Sequence, residues 1–285
     1  MFGFSNLCWW WILNFLLHCE TRNERADKIV WKNNDFPRSN PLKNFHKLKG
    51  GYFNHGSLTI DKDPAGGDQD VMKVFYKNGT FSLPAVHTLR GAQFYCSPIP
   101  PQTSMTLSYQ VYFNPGFDFV MGGKLPGLFG GAHATCSGGR HSTTCFSARL
   151  MWRENGDGEI YTYIPDQSAS FCNRTDVECL PIKGTSLGRG SWRFKTGEWV
   201  KITEHISLNN VGKDDGLAQI WINGKLVYTA KNIIWRVNEN IKIEGLFFST
   251  FFGGASQPWA AHKDEYSYFK DFVLTEGESV PVVGK

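Results

Sequence analysis

The chain has 285 residues, enough for one large domain or two small ones. Aromatic residues make up 15%, glycine numbers 30 and long charge blocks are absent, which excludes a disordered or coiled-coil chain and points to a β-rich globular one. A net charge of +4 suits an acidic partner but is too small to imply nucleic acid, and no RNP, helix-turn-helix or zinc-finger spacing is present.

Residues 7–17 read LCWWWILNFLL and precede the polar run Glu20-Thr21-Arg22-Asn23-Glu24-Arg25. This apolar stretch is too short to cross a bilayer comfortably and fits the core of a secretory signal peptide, expected over residues 1–19 with cleavage near Cys19. The missing basic segment and the weak cleavage site leave a membrane anchor or a buried first strand as alternatives. Residues 20–49 are expected as a mildly basic, irregular lead-in, and residues 50–285 as one folded domain.

Strands are expected at Val71–Tyr76, Gly91–Cys96, Met105–Phe113, Cys145–Arg153, Glu159–Ile164, Trp199–Ser207, Ala218–Ile222, Lys225–Tyr228, Lys242–Phe251 and Ser267–Leu274. Most show apolar alternation or β-branched and aromatic enrichment, and turn residues separate them. Asn223-Gly224 marks a tight hairpin, because both central residues of a type I′ turn need positive φ. No long amphipathic helix and no internal repeat stands out. So many short strands predict an all-β fold, a two-sheet sandwich of the jelly-roll kind.

Within the folded domain the cysteines are Cys96, Cys136, Cys145, Cys172 and Cys179. Cys136/Cys145 and Cys172/Cys179 bracket short polar loops, and short-loop disulfides are the simplest assignment in an oxidising compartment. Cys96 is then left as a buried free thiol. Zinc is the rival reading, but no C-x-x-C or H-x-x-x-H spacing supports it, and no metal site is expected. The sequons at Asn78 and Asn173 agree with export.

One hairpin carries a polar face. On strand 145–153, Ser147, Arg149, Met151 and Arg153 point one way, and Ala148, Leu150 and Trp152 the other. On the next strand Glu159, Tyr161 and Tyr163 share a face. The apolar faces belong between the sheets, which leaves an exposed surface bearing arginine and tyrosine. Both polar faces lie together only if odd-numbered residues pair, so the loop through Asn155-Gly156-Asp157-Gly158 must hold an odd number of residues. An even loop would put Tyr161 beside Trp152 in the core. Arginine and tyrosine on a sheet face are often mere cross-strand neighbours, and loop lysines and histidines are often only solvated. Lys124, however, stands between Gly122-Gly123 and Pro126-Gly127, where backbone approaches closely. His133 and His141 are minor options as bases.

GFDFVMGGKLPGLFGG, CFSARLMWR, GEIYTYIP and FFSTFFGG, in this order, resemble polysaccharide lyase family 14, which includes alginate lyases of marine molluscs and algal-virus enzymes that cut glucuronate-containing walls. The resemblance spans roughly residues 52–274 and implies a β-jelly roll with a sugar groove on one sheet. It implies Lys124, Tyr161 and Tyr163 as catalytic residues and places Ser147 and Arg149 in the same cleft. Gln93 joins these two as a substrate-binding candidate.

The side chains suit that chemistry. In β-elimination a base removes the C5 proton of a uronate and the C4–O bond breaks. The adjacent carboxylate must first be neutralised, which Lys124 or Arg149 can do. Tyr163 is expected as the base, with the acid role its own or Tyr161's. One face serves both roles in a syn elimination, the geometry shared by mannuronate and glucuronate. The expectation is a secreted, monomeric, endolytic lyase of poly-β-D-mannuronate that needs no cofactor and takes an acidic polysaccharide, not nucleic acid or membrane. A glucuronan lyase and a non-catalytic carbohydrate-binding jelly roll are the alternatives. A glycoside hydrolase would need two carboxylates, and Glu159 is the only one on the polar face.

Overall fold

A computed structural model describes residues 28–82, 88–139, 143–180 and 182–277. The expected signal segment 1–19 and His141 lie outside the described residues. The strands in chain order are β1 (Lys28–Asn33), β2 (Leu58–Lys62), β3 (Asp70–Tyr76), β4 (Ala92–Cys96), β5 (Ser104–Phe113), β6 (Gly122–Gly131), β7 (Cys145–Arg153) and β8 (Gly158–Tyr163). There follow β9 (Val177–Glu178), β10 (Thr185–Leu187), β11 (Trp199–Ser207), β12 (Gly216–Ile222), β13 (Lys225–Ile233), β14 (Ile243–Phe252) and β15 (Glu265–Glu276).

These strands form the two-sheet β-jelly roll that the alternation predicts. The back sheet runs β13-β12-β11-β5-β15-β3-β2, with β1 also on β15, and the front sheet runs β4-β14-β6-β7-β8-β10-β9. All ten expected strands form, with ends moved by two residues or fewer except in β13, which runs on to Ile233. Asn223 and Gly224 both take positive φ, 50° and 80°, as their hairpin requires. The segment expected as an irregular lead-in holds β1, which pairs antiparallel with β15.

The core lies between the sheets and is largely aromatic. Phe248 stacks on Phe94 at 4.7 Å and meets Phe269 edge-on at 5.0 Å, while Phe45 meets Phe94 and Phe272 at 5.1 and 5.4 Å. At the other end Trp152 contacts Tyr76, Phe113 and Phe252 at 6.0, 5.6 and 5.5 Å. Such pairs contribute about 0.5–1.5 kcal/mol each beyond the area they bury. Disulfides close Cys136–Cys145 and Cys172–Cys179, and Cys96 is a buried free thiol.

Strand β6, GGKLPGLFGG, is absent from the sequence expectation because its glycines and proline read as loop. Its glycines have another cause. Gly123 lies opposite Trp152, and a Cβ there would sit 2.0 Å from the indole Cζ2 and 2.5 Å from the Phe251 carbonyl oxygen. Glycine leaves the room that the core tryptophan fills. Gly123→Ala is therefore expected to overpack the core and lower stability by about 1–3 kcal/mol, read as a reduced thermal midpoint. An unchanged midpoint would show that the strand relaxes around a methyl group.

Candidate functional site

The β7–β8 register decides which side chains meet. Ser147 pairs with Tyr163, Arg149 with Tyr161 and Met151 with Glu159, all odd with odd. The Arg153 N–H donates to the Asp157 carbonyl at 2.6 Å, which leaves the three-residue loop Glu154–Gly156. Asn155 and Gly156 take positive φ, 59° and 82°, as the short turn demands. The loop is odd, and the two polar faces coincide.

Strand β6 brings Lys124 to the same face by a bulge. Leu125 pairs with Leu150 but Gly127 with Arg149, so Pro126 is an extra residue and parity changes there. Lys124 thus pairs with Met151 on one side and Phe251 of β14 on the other. Beyond Lys124 the face continues with Phe247 and Ser249 of β14, then Tyr95 and Gln93 of β4, which pair with them.

The polar face is not the exposed surface its residues imply. Lys124 is 9% exposed, Ser147 1%, Arg149 2%, Glu159 0%, Tyr161 7% and Tyr163 4%. Loops crossing the sheet cover them. Gly139, in the loop closed by Cys136–Cys145, donates its N–H to the Tyr163 hydroxyl oxygen at 3.0 Å, and Gly184 donates to the Tyr161 oxygen at 2.9 Å. Backbone donors thus fix both phenols.

Electrostatically the face divides in two. Glu159 receives Arg153 at 2.8 and 2.6 Å on one oxygen, and Ser186 at 2.6 Å and Arg189 at 2.7 Å on the other. Burial would raise its pKa, but Arg153, Arg189 and Ser186 outweigh it and hold the carboxyl below its usual range. Lys124 has no such partner: its Nζ lies 2.6 Å from the Met151 sulfur and 3.8 Å from the centroid of the Tyr161 ring. Burial, with Arg149 and Arg153 beside it, pulls the amine well below the usual lysine range, against the pull of Glu159. Arg149 donates to the Ser249 hydroxyl at 3.0 Å, lies over Phe247 at 4.4 Å and Tyr163 at 5.8 Å, and leaves its Nε without a hydrogen bond. Burial pushes the Tyr161 phenol upward, reinforced by Tyr163, whose hydrogen bond to it favours the protonated form.

Lys124, Arg149, Tyr161 and Tyr163 are therefore brought together. Ser147 lies on the same row but donates its hydroxyl to the Cys136 carbonyl at 2.7 Å, anchoring the disulfide loop. Gln93 is the cross-strand partner of Ser249 and spends an amide donor on the Gly51 carbonyl at 2.8 Å. The His133 ring is bonded to the Lys49 carbonyl and lies 5.6 Å from Tyr95. Met151 and Arg153 were visible as members of the odd-numbered row; Ser249, Gly139, Gly184 and Trp259, the last 5.7 Å from Arg153, carry no sequence signal linking them to it. Among the described residues no cluster of histidine, cysteine or acidic side chains can hold a metal ion.

A family model described as polysaccharide lyase 14 matches residues 64–272. The chain is similar to the crystal structure of a PL-14 alginate lyase from Aplysia kurodai, with a TM-score of 0.79 and 39% identity over 87% of this chain and 98% of that one. It is also similar to an alginate lyase from Chlorella virus, with a TM-score of 0.71 and 24% identity over 88% and 100% of the two chains. An endo-β-1,4-glucuronan lyase from Trichoderma reesei shares the fold at a TM-score of 0.58 and 8% identity, over 88% and 96%. No protein with a curated description matches by sequence.

The Glu159 cluster makes a pH-dependent contribution to stability. Its folded-state value lies below the usual 4.5, so that contribution is complete above about pH 4.5 and is lost as pH falls through the lowered value. Glu159→Gln leaves Arg153 and Arg189 without their shared charge and is expected to cost about 3 kcal/mol at neutral pH. The gap from wild type should shrink below about pH 4.5; the buried Glu204, raised in the opposite sense, is common to both proteins and cancels. Denaturation series at pH 7 and pH 3.5 test this, and a pH-independent gap contradicts it.

Proposed function

The chain belongs to the polysaccharide lyase 14 family and is a polysaccharide lyase; from that premise we propose that it cleaves poly-β-D-mannuronate blocks of alginate by syn β-elimination. One observation carries the substrate class. Lys124 and Arg149 are buried basic groups with no carboxylate partner of their own among the described residues. Burying such charge is costly, and a uronate carboxylate entering beside them offsets that cost while losing its own charge repulsion.

The steps follow from the contacts. Arg149 and the Lys124 ammonium, restored by the incoming anion, take the carboxylate and draw electron density from C5. The Tyr163 phenolate accepts the C5 proton, its charge lying beside the Gly139 N–H and the Arg149 guanidinium. The electron pair of the broken C–H bond forms the C4–C5 double bond, and the C4–O bond breaks. Tyr161, kept protonated by burial and by its neighbour, donates a proton to the leaving oxygen. The rings meet edge to face at 5.6 Å, so base and acid stand on one side of the sugar, as a syn elimination requires.

The depressed basicity of Lys124 favours a second assignment within the same reaction. A neutral amine is itself a base, and in that case Lys124 takes the C5 proton while Arg149 alone neutralises the carboxylate. Lys124→Arg separates the two, because arginine keeps the charge but cannot act as base.

Strands lie on both sides of β6–β8, with β14 and β4 one way and β10 and β9 the other, which supports endolytic action on a chain crossing the sheet. The two disulfides and the apolar residues 7–17 support export to an oxidising compartment, and no described helix is long and apolar enough to cross a membrane. The enzyme is read as a monomer.

Lys124→Ala and Tyr163→Phe are expected to abolish the ultraviolet absorbance of unsaturated uronate products while keeping the wild-type thermal midpoint. Wild-type product from either folded variant removes the assignment. With polymannuronate, polyguluronate and glucuronan supplied separately, polymannuronate is expected to react fastest; preference for glucuronan would move the substrate to that polymer. The rate should rise on the alkaline side of neutrality if a tyrosinate is the base, whereas a rise confined to the acid side points to His133 or His141.

A further inference from the structure

The bulge that turns Lys124 into the groove exposes backbone groups of β6 toward the core, where a sandwich supplies few polar partners. Two side chains of the opposite sheet reach them. The Tyr109 hydroxyl of β5 donates to the Pro126 carbonyl at 2.9 Å, and Oε2 of Glu204 on β11 accepts the Leu128 N–H at 2.9 Å. Both side chains are 0% exposed, and their bonds end on Pro126, the extra residue between Leu125 and Gly127, and on Leu128.

A glutamate and a tyrosine between two apolar sheets are costly unless their polar atoms find work. Glu204 has no cationic partner among the described residues, and its Oε1 carries no hydrogen bond. Burial pushes its carboxyl well above the usual range, and burial, reinforced by Glu204, pushes the Tyr109 phenol up. Neither group reaches the groove face. Their hydrogen bonds end on the residues before and after Gly127, whose own Cβ position is filled by the Ala148 carbonyl 1.9 Å away. A slip of one residue at Pro126 would return Lys124 to the parity of Leu125 and send its side chain into the core.

We infer that Glu204 and Tyr109 are positioning residues for the elimination, holding the β6 bulge from behind so that Lys124 stands beside Arg149 and Tyr161. This rests on the proposed role of Lys124, and the test has a readout that does not. The Lys124 amine titrates in an environment set by its burial and by Arg149, Arg153, Glu159 and Tyr161, so its ¹⁵N-detected titration reports its place whether or not it is catalytic.

Glu204→Met and Tyr109→Phe each remove one bond to the bulge, and Glu204→Gln keeps an acceptor for the Leu128 N–H. In Glu204→Met and Tyr109→Phe the Lys124 titration is expected to move toward the solvent value. kcat on the polyuronate should fall by about tenfold or more, with KM changed less. Glu204→Gln should restore both. If Glu204→Met does not fold, Tyr109→Phe, which loses a single oxygen atom, decides alone. Folded Tyr109→Phe or Glu204→Met protein with the wild-type Lys124 titration overturns the inference. A displaced titration with unchanged kcat keeps the positioning and instead removes Lys124 from the reaction.

Discussion

Positive charge kept out of water without a counter-ion is the constraint around which the front sheet is arranged. Arg153 and Arg189 with Glu159 and Glu178 form a closed set in which each charge is answered. Lys124 on β6 and Arg149 on β7 are left with a thioether, a hydroxyl and aromatic faces. Had Glu159 reached Lys124, the site would be electrically complete and indifferent to an anion. Because two arginines occupy that carboxylate, the electrostatic need of the lysine and of Arg149 is passed to whatever enters the groove. The covering loops sharpen this, since a charge in a low-dielectric site attracts its partner far more strongly than one in water.

Geometry then decides where that need is expressed. Between the Arg149 and Lys124 levels, β7 has one intervening residue, β6 has two and β14, between Phe247 and Phe251, has three. Each strand adds one residue to its neighbour at the same height, so the ladder opens where the chemistry is placed. Ser249 lies in the widest gap and takes the Arg149 guanidinium. Pro126 suits the middle gap, because proline has no N–H to lose from the ladder.

Much of this was legible in the residues. Alternation in β7 and β8 separates Trp152 and Leu150 from Arg149 and Tyr161, and the structure meets the condition of an odd loop under which the two polar faces coincide. The two close cysteine pairs predict the disulfides that form. Strand β6 was not legible, since a run of glycines means a turn unless one knows that Trp152 lies against Gly123. Nor was the depth of the site. Ser147 reads as a polar surface residue, and only the returning loop shows its hydroxyl bound to the Cys136 carbonyl. The lead-in is a similar case: Lys28–Asn33 is a strand whose partner β15 lies at the far end of the chain.

Local periodicity thus determined the all-β class, the identity of the two faces of the central hairpin and the set of charged and phenolic groups on one of them. Those properties depend on neighbours two residues apart, and a sequence records them directly. The tertiary structure alone decided that Lys124 joins that face, that Glu159 is spent on Arg153 and Arg189, and that the whole set is buried. Each depends on groups distant in the chain: a bulge backed by Glu204 and Tyr109, an arginine thirty residues beyond Glu159, and loops folded over the sheet. No pattern within a single strand encodes which distant backbone will come to lie above it.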